Sequence, residues 1–190
     1  VVVDLCNQMG VENVYQNFKA YGYTTLADSV KLESGAILSD IDVSPMALGG
    51  MTYGVTVREH TQAYATLANG GSTSRARTYS VVRDSTGKVL LDNGEKHEIK
   101  YRESTAVILT DLLTHVVTSG TATGSVNVGK KYNIDVAGKT GTTNDKKDVY
   151  FAGSERDYIL MDIAVGNAPI LMLDWEYNYN ATSNSIPHKH

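Results

Sequence analysis

A chain of 190 residues, 42% hydrophobic and 20% charged, is long enough to build one domain with its own core and reads as globular and soluble. Its formal charge of −4 and isoelectric point near 5.7 supply no basic face, which argues against nucleic acid as a partner. The only cysteine, Cys6, excludes an intrachain disulfide and a thiolate cluster around a metal, and its apolar neighbours suit a small buried side chain.

The chain opens abruptly with "VVVDLCNQMG", without Met, a basic start or more than a short apolar run. It is therefore expected to be a piece of something longer. In "VENVYQNFKAY", Val11, Val14, Phe18 and Tyr21 fall at helical spacing, and Gly22 is placed to end the helix. Residues 29–54 are rich in Gly, Ser and Asp and show no sustained period, which predicts a long ordered loop. Thr56-Val57-Arg58-Glu59 has the form of a capping box, and the helix it opens should stop at Asn69-Gly70-Gly71. His60 lies on that helix with no acidic or nucleophilic partner placed by sequence, so it reads as a surface or satisfied histidine. Twelve tyrosines against two phenylalanines and one tryptophan fit ordinary packing.

"TYSVVRDSTGKVLLD" alternates, turns at 84–87 and alternates again, as a β-hairpin does. "ESTAVILTDLLTHVVTSG" predicts a helix with Ile108, Leu112 and Val116 on one face and Gly120 beyond its end. The period then changes. "YNIDVAGKTGTT", "DVYFAGS" and "DYILMDIAVG" are three strand-like runs joined by short polar turns, which favours antiparallel neighbours. Residues 159–175 are the most hydrophobic stretch, but Asp162, Asn167 and Pro169 interrupt it and make it a poor membrane span. The polar tail holds His188 and His190, which fit a mobile end better than a metal site.

Within "NIDVAGKTGTTND", Gly138-Lys139-Thr140 resembles the end of a phosphate-binding loop. Such a loop needs glycine at 133, where this chain has Asn133, and a helix starting at the lysine. Beyond Thr140 come Gly141, Thr142 and Thr143, a poor helix start. The alternative is a lysine on a strand edge, beside which an acyl-peptide lies as an extra strand. Gly141 would then let a ligand backbone come close, and the amide of Thr142 could donate to a developing oxyanion. Lys-Thr-Gly is also one element of the signature of penicillin-binding proteins and serine β-lactamases.

More than three residues carry the likeness. "SPMALGGMTYGVTVREHTQAYATLANGG", "STAVILTDLLTHVVTSGTATG", "VAGKTGTTNDKKDVYFAG" and "DYILMDIAVGNAPI" follow the order and spacing of one family. The chain resembles the C-terminal transpeptidase domain of class A, bifunctional penicillin-binding proteins, with Tyr150 where tryptophan is usual. The resemblance implies an α+β fold, an antiparallel sheet packed against helices, with Lys139 on its edge. It implies a D,D-transpeptidase that cross-links peptidoglycan stem peptides outside the cell, is acylated by β-lactams and needs no metal or other cofactor. Lys139 and Thr142 would be catalytic; Thr140, Gly141, Thr142 and Thr143 would bind substrate. The parent would be membrane-anchored, although this segment does not span a membrane.

Two of the family's catalytic elements have no match in place. Ser85-Thr86-Gly87-Lys88 spells Ser-x-x-Lys, but in a predicted hairpin turn instead of opening a helix. Ser125-Val126-Asn127 spells Ser-x-Asn, but out of family order. The chain is thus expected to begin just downstream of both, as a fragment inactive by itself. A non-catalytic binding or sensor module, or a serine β-lactamase, remains a competing reading.

Overall fold

The computed structural model describes residues 1–124, 135–142, 149–154, 158–165 and 168–176, the last two segments by their backbone. Helices α1 (Val2–Met9) and α2 (Val11–Ala20) are separated only by Gly10. The spacing predicted for α2 holds: Val14 and Tyr15 are buried, and Val11, Phe18 and Tyr21 lie partly buried against the same core. Cys6 enters that core at 5% exposure, as its neighbours suggested. Tyr15 is completely buried and donates to Asp28. Burial, with this carboxylate next in importance, pushes the phenol up to about 12.

Residues 29–54 are not the long loop expected. They contain a short antiparallel pair, β1 (Val30–Lys31) with β2 (Ile37–Leu38), and a helix, α3 (Val43–Leu48). Six residues are too few to display a helical period, so only the ends could have revealed α3. Asp42 accepts from the Ser44 amide at its start, and Gly49 closes it at φ 86, a left-handed conformation that suits glycine. Just upstream, Asp40 is 1% exposed and has both carboxylate oxygens occupied. One accepts from the Ala27 amide at 2.7 Å, the other from the amide and hydroxyl of Thr52, both at 2.7 Å. A buried carboxylate left without such donors would cost several kcal/mol, about the whole margin of a small domain.

Helix α4 (Val57–Ala68) opens with the predicted capping box: the Thr56 hydroxyl accepts from the Glu59 amide, and the Glu59 carboxylate accepts from the Thr56 amide. Past α4, β3 (Ser72–Ser74) pairs with β6 (His97–Ile99), enclosing the predicted hairpin of β4 (Val81–Arg83) and β5 (Val89–Asp92). Gly71 stands against this corner at φ 89, where a Cβ would lie 2.2 Å from the Tyr101 carbonyl oxygen. No other residue fits there.

Helix α5 (Glu103–Thr118) has the expected extent but not a buried Ile108–Leu112 face. Ala106 and Val117 are buried, whereas Ile108 is 60% and Leu112 57% exposed. The helix is apolar on more than one side, so spacing located a stripe without showing that it is the one covered.

The remaining strands form an antiparallel sheet of β7 (Ala137–Thr142), β8 (Val149–Ser154), β9 (Tyr158–Val165) and β10 (Ala168–Glu176), in the order β10-β9-β8-β7. The fourth strand was not expected. The apolar stretch 159–175 holds two antiparallel strands, β9 and β10, and Pro169 lies within β10, paired with Ala164. Among the described residues no helix is long and apolar enough to cross a membrane. In β8, Phe151 shares a core cluster with Val117 of the α5 helix, against which Val116 also packs, and its neighbour Ala152 meets Val57 and Tyr64 of α4. Successive residues of one strand thus serve two helices.

Candidate active site

Strand β7 runs from the interior into solvent. Val136, Ala137 and Gly138 are buried, Thr140 is half-buried, and Lys139, Gly141 and Thr142 are exposed. Its buried end is shaped by Phe151. A Cβ at Gly138 would lie 2.4 Å from the Phe151 ring, and one at Gly153 would lie 2.6 Å from it, so the pair Gly138–Gly153 makes room for the aromatic side chain. Gly141 is different. The nearest atom to a Cβ there is Tyr150 Cβ at 3.8 Å, an ordinary contact, and the backbone is not in the left-handed region. Packing among the described residues therefore needs glycine at 138 and 153 but does not need it at 141.

β7 is the outermost strand at its end of the sheet, paired on one side with β8. Among the described residues no strand pairs with its other side. This contradicts a phosphate loop, since a strand and not a helix carries Lys139. The Lys139 ammonium donates to the Thr140 carbonyl oxygen at 2.6 Å, and the hydroxyls of Thr140 and Thr121 lie 2.7 Å apart. Thr121 follows Gly120 in the turn immediately after α5. The sequence marked Gly120 as lying beyond the helix, but nothing there linked its neighbour Thr121 to Thr140, 19 residues away.

The structure thus brings Lys139, Thr140, Gly141 and Thr142 onto one exposed strand end. Thr143 lies outside the described residues, as do Ser125, Val126, Asn127, His188 and His190. Ser85 and Lys88 sit at the exposed β4–β5 turn. There one oxygen of Asp84 accepts from the Thr86 amide at 2.8 Å, the Thr86 hydroxyl at 2.6 Å and the Lys88 amide at 3.0 Å. That turn offers Ser85 no helix to open. His60 is satisfied, as expected: its Nδ1 is 2.9 Å from the Tyr23 hydroxyl, and burial pulls its pKa below the ordinary histidine value. Among the described residues, no group of three or more His, Cys, Asp or Glu could hold a metal ion.

The chain is thus an α+β domain that carries a lysine on the outermost strand of its sheet, and a family model matches it. The model for the penicillin binding protein transpeptidase domain matches residues 1–168, and the chain belongs to that family. It is 31% identical over 161 residues to penicillin-binding protein 4 of Bacillus subtilis (strain 168), covering 83% of this chain and 23% of that protein. It is 30% identical over 139 residues to penicillin-binding protein 1A of Clostridium botulinum (strain Langeland), covering 73% of this chain and 16% of the relative. The chain therefore spans under a quarter of the length of these relatives.

Among solved structures, the D,D-transpeptidase domain of peptidoglycan glycosyltransferase from Eggerthella lenta superposes with a TM-score of 0.57 at 20% identity. That match covers 82% of this chain and 42% of the other. Penicillin-binding protein A from M. tuberculosis, as its imipenem acyl-enzyme, gives 0.55 at 16% identity over 81% of this chain and 36% of the other. At these identities the likeness establishes the fold.

Proposed function

We propose that the protein carrying this chain is a peptidoglycan D,D-transpeptidase, and that the outer edge of β7 is where its substrate lies. The observation that carries the reading is the Lys139-Thr140-Gly141-Thr142 end of the outermost strand, exposed except for a half-buried Thr140, with a glycine at 141 that packing among the described residues does not require. A stem peptide would add to β7 as a further strand, its main chain passing over the bare Gly141. The Thr142 amide would donate to the reacting carbonyl oxygen as charge develops there; losing one such donor typically costs ~10²–10³ in rate. Hydroxyls of Thr140, Thr142 and Thr143 would hold the terminal carboxylate, and the Lys139 ammonium would stabilise the anionic proton network around the nucleophile.

The reaction balances without a metal or cofactor. A serine oxygen adds to the penultimate D-alanine carbonyl, the C–N bond breaks, and the serine proton leaves on the amine of the terminal D-alanine. The amine of a second stem peptide then takes the acyl group, and the serine regains a proton. A β-lactam acylates the same serine by opening its ring amide.

We place that serine outside residues 1–190. This chain would then be the C-terminal part of the transpeptidase domain, a reading supported by its 42% share of the Eggerthella lenta structure and by the exposed turn that holds Ser85. Its substrate puts the parent, a class A penicillin-binding protein, outside the cytoplasm and attached to the membrane. Fluorescent penicillin should label the full-length protein covalently and leave the 190-residue chain unlabelled. Covalent labelling of the short chain would place the nucleophile within it and overturn the assignment.

A further inference from the structure

We infer that Thr121 is a positioning residue for this reaction, acting through the hydroxyl of Thr140; the inference rests on the transpeptidase reading above. Thr121 stands on a backbone held from both sides. The Ser119 amide donates to the His115 carbonyl and the Ala122 amide to the Val116 carbonyl, each at 3.0 Å, while the Thr123 hydroxyl donates to the Gly120 carbonyl at 2.7 Å. Gly120 lies so close to α5 that a Cβ there would come within 2.8 Å of Val116 Cα. Ala122, 1% exposed, is buried in the same core as Val136 and Phe151, and the Phe151 ring lies against Gly138. The turn and β7 are thus fastened to one cluster, which fixes the 2.7 Å separation of the two hydroxyls.

Each hydroxyl has one proton to give. When Thr121 donates to Thr140 Oγ1, the proton of Thr140 points away, toward a ligand at the strand edge. A carboxylate only accepts, so this is the polarity that substrate recognition requires. The opposite polarity would present lone pairs to an anion. Thr121 is exposed and its hydroxyl competes with water, so the contact adds little to fold stability. Its effect falls on how well Thr140 receives a carboxylate.

The test uses the full-length protein and two probes, benzylpenicillin and its methyl ester, in which the carboxylate is masked. Thr121→Val should slow acylation by benzylpenicillin about tenfold, the weight of one hydrogen bond to a charged group. Thr121→Ser, which keeps the hydroxyl, should restore it. Reaction with the ester and the thermal midpoint should stay at their wild-type values in both variants. Unchanged acylation by benzylpenicillin in Thr121→Val, or an equal loss with the ester, would overturn the role given to Thr121 while leaving the transpeptidase reading intact. Failure of the wild-type protein to react with either probe would overturn both.

Discussion

Glu59 is 5% exposed, and its carboxylate accepts four hydrogen bonds, from the amides and hydroxyls of Thr24 and Thr56. Burial is the largest single influence on this group and pushes its pKa up, but the four donors together outweigh it and the net direction is down from 4.5. A folded pKa below the unfolded one means that the unfolded chain binds the extra proton first on acidification. The stabilisation is therefore complete above 4.5 and is lost as pH falls through the lower folded value. Glu59→Gln should destabilise the protein by about 1–3 kcal/mol at neutral pH, because its amide turns donors toward donors. Thermal midpoints should show the gap from wild type narrowing as pH drops through that window; a gap independent of pH would contradict this account. The half of this network that lies within one helical turn, Thr56 with Glu59, was legible in the sequence as a capping box. The half that reaches Thr24, 35 residues away, was not, because no local pattern announces a tertiary hydrogen bond.

At the scale of elements, periodicity carried the reading where segments were long and failed where they were short or apolar throughout. Helices α2, α4 and α5 and the β4–β5 hairpin were legible from spacing, caps and turn residues. Helix α3 was too short for a period, and β10 merged with β9 into one apolar run in which only Asn167 and Pro169 hinted at a turn. The face of α5 was illegible for a different reason: its apolar residues ring the helix, and burial depends on partners elsewhere in the chain. The observed packing makes a sharp distinction. Val117→Ala should cost about 1–3 kcal/mol, because Val117 is 2% exposed against Val136 and Phe151. Leu112→Ala, at a position 57% exposed, should stay within about 0.5 kcal/mol. Chemical denaturation of the 190-residue chain would measure both, and the reverse order would mean that α5 is seated on the face the spacing suggested.

At the scale of the whole molecule, the sequence named Lys139, Thr140, Gly141 and Thr142, and the family resemblance set Lys139 on a sheet edge, but the strand order itself was not legible there. The four-stranded order leaves β7 outermost, and the core of Val117, Ala122, Val136 and Phe151 anchors its inner end while the outer end projects into solvent. Two glycines of one strand then have different reasons to exist. Gly138 accommodates the Phe151 ring, whereas among the described residues nothing comes closer to a Cβ at Gly141 than Tyr150 Cβ at 3.8 Å. The most direct measurement is therefore the acylation rate and thermal midpoint of Gly141→Ala in the full-length protein, with Gly138→Ala beside it. Gly141→Ala should keep the wild-type midpoint but react with penicillin about 10²-fold more slowly, as a small misplacement at a reacting centre does. Gly138→Ala should instead lose about 1–3 kcal/mol of stability through overpacking. A stable Gly141→Ala variant that acylates at the wild-type rate would contradict the claim that substrate docks along this edge.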